Sequence, residues 1–95
     1  MLTIKEIAGS IADISKEYPV KTAELFGSYA AGNCTEKSDV DILIEFDTPA
    51  VSLLMLNSLK YRLEDILNKE VDLVHAPVPP ESLLEIGRRI KIYGA

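Results

Sequence analysis

Apolar residues recur along the chain with two different periods, and each period marks an element. Ile4, Ile7, Ala8, Ile11 and Ile14 share one face of a helix predicted over residues 3–17. Thr3 and Glu6 have capping-box spacing at its start, and Tyr18-Pro19 ends it, because the residue before proline avoids helical geometry. Val20–Phe26 then reads as a strand, with Val20, Leu25 and Phe26 its apolar members. Gly27-Ser28 stops it, a short helical turn runs through Tyr29-Ala30-Ala31, and Gly32-Asn33 leads into a polar loop over 34–38. From Asp39 to Phe46 the alternation is strict. Val40, Ile42, Ile44 and Phe46 point one way, and Asp39, Asp41, Leu43 and Glu45 point the other. After the Thr48-Pro49 turn the period returns to that of a helix, over about residues 50–68, with Leu56, Leu59, Leu63, Ile66 and Leu67 inward. Glu70–His75 is a third strand, Pro77–Pro80 a rigid connection, and Pro80 opens a last helix to about Arg89. Ile90–Tyr93 is left as a short extended tail. Strands separated by a long helix predict an α/β or α+β domain, a sheet with helices packed on it.

Composition narrows this picture. The chain has 95 residues, 47% hydrophobic and 26% charged, with no internal repeat or linker, which is a single domain over 1–95. Ten basic residues against 15 acidic give a net charge of −5, so general binding to nucleic-acid backbones is not expected. No apolar run reaches the ~20 residues that cross a bilayer. The opening residues lack the layout of a secretory signal, and Cys34 is the single cysteine, so a reducing cytoplasm is the expected location.

The chemistry gathers around three carboxylates. Asp39 and Asp41 lie two apart on one strand face, about 7 Å from each other along the backbone, a spacing from which side chains can converge on a pair of divalent cations. Alone, such a pair also fits a solvated strand start. Gly27-Ser28 adds a place where backbone amides and a hydroxyl can hold a phosphate, although by itself it is equally a strand-to-helix turn. Asp72 stands between Val71 and Leu73, where a lone charge is costly, although by itself it equally fits an exposed residue near a strand start. If its strand pairs beside the Asp39–Asp41 strand, all three carboxylates face one site.

Together, Leu25-Phe26-Gly27-Ser28-Tyr29-Ala30-Ala31-Gly32, Ser38-Asp39-Val40-Asp41-Ile42-Leu43-Ile44 and Val71-Asp72-Leu73-Val74 resemble the minimal nucleotidyltransferase family, the MntA-type branch of the DNA polymerase β-like superfamily. The resemblance covers nearly the whole chain. It implies a small mixed sheet flanked by helices, a two-metal Mg²⁺ site and ATP as substrate. It also implies that Gly27 and Ser28 hold the triphosphate, that Asp39 and Asp41 bind the metals, and that Asp72 completes the triad. The family's pairing with HEPN-domain toxins implies an antitoxin that transfers AMP to a hydroxyl, a tyrosine, of such a partner. One position departs from the pattern. Ala31 stands where the family usually has a basic residue, and Lys37 is the loop residue placed to compensate.

Other polar residues have simpler readings. His75 faces away from Asp72 by strand alternation, Glu45 is about 13 Å along the strand from Asp41, and Tyr29 is a packing residue. Arg88, Arg89 and Lys91 are read as the usual cations at a helix C-terminus. Val51–Leu56 is more apolar than one helical stripe needs, which suits a surface covered by a partner, in a homo- or hetero-oligomer. A chain this short has no separate acceptor domain, so the acceptor must bring its own binding surface. The competing function is a nucleotidyltransferase-fold antitoxin that neutralises its partner by contact alone. A signalling receiver with clustered aspartates fits poorly, because its repeated β-α winding does not match an opening helix and three clear strands.

Overall fold

A computed structural model describes residues 2–75 and 88–94. The elements are α1 (Ile4–Ile14), β1 (Val20–Phe26), α2 (Gly27–Ala31), β2 (Val40–Phe46), α3 (Leu53–Leu67), β3 (Val71–His75) and β4 (Ile90–Tyr93). The four strands form one sheet in the order β3-β2-β1-β4. β1 runs antiparallel to both β2 and β4, whereas β3 runs parallel to β2 and is joined to it through α3. The helix expected over Pro80–Arg89 lies almost wholly outside the described residues.

Local chemistry sets the element ends. In α1 the capping box forms as its spacing requires: Glu6 N donates to Thr3 Oγ1 and Thr3 N to Glu6 Oε1, both at 3.1 Å. The helix ends at Ile14, three residues earlier than the periodicity predicts. There Ser15 Oγ donates to Ala12 O at 2.7 Å and Glu17 N closes onto Ile14 O, so tighter turns replace the helical ladder. In α3 the cap is Ser52, whose Oγ accepts from Met55 N at 3.0 Å, which starts the helix at Leu53. Asn68 ends it in the left-handed conformation, at φ 54°.

One face of the sheet packs on α1 and α3. Ile7, Ile11 and Ile14 of α1, with Leu59, Leu63 and Leu67 of α3, meet Val40, Ile42 and Ile44 of β2 in a single buried cluster. In β1 a register irregularity lies between Val20 and Thr22. It resets the alternation, so that Val20, Ala23 and Leu25 all reach this core although Val20 and Ala23 are three apart. Ile66, expected inward, is 48% exposed. It sits about 60° from the centre of the stripe made by Leu59, Leu63 and Leu67, at the margin that the sheet does not cover. Leu53 and Leu54 are exposed as well, at 73% and 80%. The tail at 90–93 is a fourth strand, with Ile90, Ile92 and Tyr93 packed against the core.

Leu63 and Leu54 therefore differ sharply in energetic weight. Leu63→Ala should destabilise the fold by about 2–5 kcal/mol, whereas Leu54→Ala should change it by less than about 0.5 kcal/mol. Urea unfolding of the two variants reads the contrast.

Candidate active site

The face of the sheet turned away from α1 and α3 carries the charged residues. Ile42 and Ile44 face the core, so Asp41 and Glu45 must face the other way, and both are half-buried. The parallel pairing of β3 places Asp72 directly beside Asp41, and Val40 N donates to Glu70 O at 3.0 Å just before β3. The antiparallel pairing of β1 places Phe26 on the other flank of Asp41. Three neighbouring strands thus meet at one residue, at the end where β1 gives way to α2.

Gly27 makes that meeting possible. Its φ is +71°, and a Cβ there would collide with Asp41 Oδ2 and lie 3.1 Å from Asp41 Cγ. Only glycine permits both the left-handed turn and the contact with the carboxylate. α2 follows at once, placing Ser28 one residue from the contact, and Gly32 closes the helix at φ 82°. Ala31 is exposed at its end. Tyr29 is buried in the core cluster, and its Oη has no hydrogen-bond partner. Burial and the nearby Cys34 push its ionisation above the usual tyrosine range.

The loop before Asp39 is held by Lys69, a residue that no motif or periodicity marks. Lys69 Nζ donates to Ser38 O at 3.0 Å and also to Glu36 O, which ties this loop to the start of β3. Ser38 Oγ accepts from Thr35 N at 2.8 Å and tightens the loop from within. Lys37 is exposed between these anchors. His75 lies on the opposite side of the sheet, its ring edge-on to Phe46 at 5.3 Å between centroids, away from Asp72 as the alternation requires.

Electrostatics distinguishes Asp41 from its neighbours. Partial burial, the charge of Asp72, a side-chain hydrogen bond with Asp72 and the charge of Asp39 together push its pKa to about 6. The two facing carboxyls hold a proton where an ordinary aspartate has lost it. Among the described residues, no three histidine, cysteine or acidic side chains are gathered around one point as a ready metal cage.

The raised pKa sets the sign of a pH effect. The folded chain keeps the Asp41 proton up to about pH 6 whereas the unfolded chain releases it near 4. Folding is therefore favoured below pH 4, and this contribution is lost as pH rises through 6. Solvent screening at a half-buried site reduces the effect to about 1 kcal/mol. Asp41→Asn should accordingly raise the melting temperature by several degrees at pH 7.5 and by much less at pH 4, read as the difference from wild type at each pH.

Comparison with known proteins gives the family and the fold. The model of the nucleotidyltransferase domain family matches residues 4–94. A Methanocaldococcus jannaschii protein assigned as a protein adenylyltransferase is 48% identical over 73 residues, which is 77% of each chain. The protein adenylyltransferase MntA of Thermococcus cleftensis is 41% identical over 78 residues, or 78% of each chain. Among solved structures, a toxin–antitoxin complex with AMP-PNP superposes with a TM-score of 0.77 at 22% identity, over 93% of this chain and 73% of the other. The Shewanella oneidensis complex of a tri-AMPylated HEPN toxin with its MNT antitoxin gives 0.72 at 18% identity, over 98% and 74%. These structures share the fold, and the family match extends over nearly every residue of the chain. This chain belongs to the nucleotidyltransferase domain family.

Proposed function

We propose that the protein transfers AMP from ATP to a hydroxyl of a partner protein, a tyrosine of a HEPN-type toxin, and so acts as the antitoxin of the pair. The observation that carries this reading is the packing of Gly27 against Asp41, with Asp72 beside it in register. Adenylyltransferases at 41% and 48% identity support the reaction, and the fold shared with an antitoxin bound to an AMPylated HEPN toxin supports the partner.

The residues suit Mg²⁺. Their donors are carboxylate oxygens, and burial together with the charge of Asp72 raises the Asp41 pKa to about 6, a crowding of negative charge that a bound cation would relieve. Mg²⁺ takes one or two carboxylates, keeps several waters and completes its shell with substrate phosphates, so a closed protein cage is not required. Asp39, Asp41 and Asp72 are assigned as the ligands. When bound, two such ions would polarise the α-phosphate and neutralise the departing pyrophosphate. Gly27 lets the phosphates approach the backbone, Ser28 contributes its hydroxyl, and Lys37 adds positive charge from the loop. The acceptor oxygen forms a bond to the α-phosphorus while the bond to the pyrophosphate oxygen breaks. Asp72, facing Asp41, receives the hydroxyl proton. Docking of the partner would supply proximity and alignment.

Incubation with ATP, Mg²⁺ and the HEPN-type partner should increase the partner's mass by one or more AMP units. Asp41→Asn should stop the mass change while leaving complex formation intact. If that variant neutralises the toxin as fully as wild type, contact rather than transfer is the mechanism, the reading that Ala31 favours. A separate thermal measurement tests the metal: Mg²⁺ should raise the melting temperature of wild type and leave that of Asp41→Asn unchanged, and equal shifts would remove the carboxylates from the metal site.

A further inference from the structure

In AMP transfer the β- and γ-phosphates leave as pyrophosphate, and besides the metal ions and Lys37 a cation near the face that carries Asp41, Asp72 and Glu24 can meet them. Arg89, next to β4, is such a cation. Ile90 pairs with Leu25 and packs on the core, so Arg89 turns to the charged face, where Arg89 Nη1 lies 3.6 Å from Glu24 Oε1. Lys91 stands opposite Glu24 on the same strand.

The register places Arg89 relative to the site. It directly precedes Ile90, the partner of Leu25, and so stands beside Phe26, whose partner on the other flank is Asp41. Asp41 is in turn paired with Asp72. One row therefore crosses the sheet from Asp72 through Asp41 and Phe26 to Arg89, acidic at one end and basic at the other. Two strand spacings, about 10 Å, separate Asp41 from Arg89. An extended guanidinium and a diphosphate span that gap together, and Gly27 with the start of α2 borders it. At the other end of the row, β3 is the edge strand, and Lys69 beside it is engaged with the carbonyls of Glu36 and Ser38.

We propose that Arg89 binds the β- and γ-phosphates of the nucleotide and takes the place of the basic side chain absent at Ala31. The assignment rests on the nucleotidyltransferase reading above. At 3.6 Å, its contact with Glu24 is looser than a bidentate guanidinium–carboxylate fork, so Glu24 aims Arg89 without engaging its full set of donors. Of the three basic residues expected at a helix end, Lys91 lies in β4, whereas the helix itself falls outside the described residues.

Calorimetric titration of the full chain with ATP and with AMP, in Mg²⁺, separates the contributions. Arg89→Gln should weaken ATP binding by about tenfold and AMP binding by less than about twofold, because AMP lacks the phosphates that Arg89 meets. Glu24→Gln, which retains the guanidinium and removes a negative charge, should bind ATP at least as tightly as wild type. Unchanged ATP affinity in Arg89→Gln, or equal weakening toward ATP and AMP, would overturn the assignment and leave the nucleotidyltransferase reading standing. Failure of wild type to bind ATP would overturn both.

Discussion

The register of β2 is the constraint on which the site depends. This strand lies between an antiparallel neighbour and a parallel one, and Asp41 is the residue where both pairings meet the end of β1. The side-chain period of a strand is two, so a slip of one residue would turn Asp41 into the core and Ile42 out of it. Val40, Ile42 and Ile44, all fully buried, prevent that slip. The apolar face of the strand thereby fixes the position of the polar one. Two carboxylates can be held against each other because their backbone is not free to separate them.

A second consequence concerns where the fold carries strain. Gly27 in a left-handed turn, and an aspartate pushed toward protonation, meet in space at the junction between β1 and α2. The stabilising features lie elsewhere: the capping box of α1, the serine cap of α3, and the isoleucine and leucine layers between them and the sheet. Such separation is expected where geometry is kept for chemistry and offset by packing at a distance.

Much of this was legible in the sequence because it was periodic. The alternation from Val40 to Phe46 specified which side Asp41 would face, and Thr3 with Glu6 specified where α1 would start. Gly27-Ser28 and Asp72 were legible as motif residues, yet their closeness to Asp41 depends on strand order, which no local pattern encodes. The parts missed were of that kind. Ile90–Tyr93 reads as a tail because four residues cannot show which strand they will join. The irregularity near Lys21 was invisible too, since resetting the phase makes Val20 and Ala23 share a face that simple alternation denies them. Ile66 had the correct period and the wrong neighbours, because a helix margin is buried only if the sheet beneath extends that far.

The clasp made by Lys69 has an evolutionary consequence. Its ammonium reaches across the chain to main-chain oxygens at Glu36 and Ser38, groups that every amino acid possesses. The path of the loop ahead of Asp39 is therefore held without calling on the side chains of residues 36 and 37. The side chain of Glu36 can change while the carbonyl that Lys69 holds stays available. The backbone leading to the first carboxylate keeps its course through such a change.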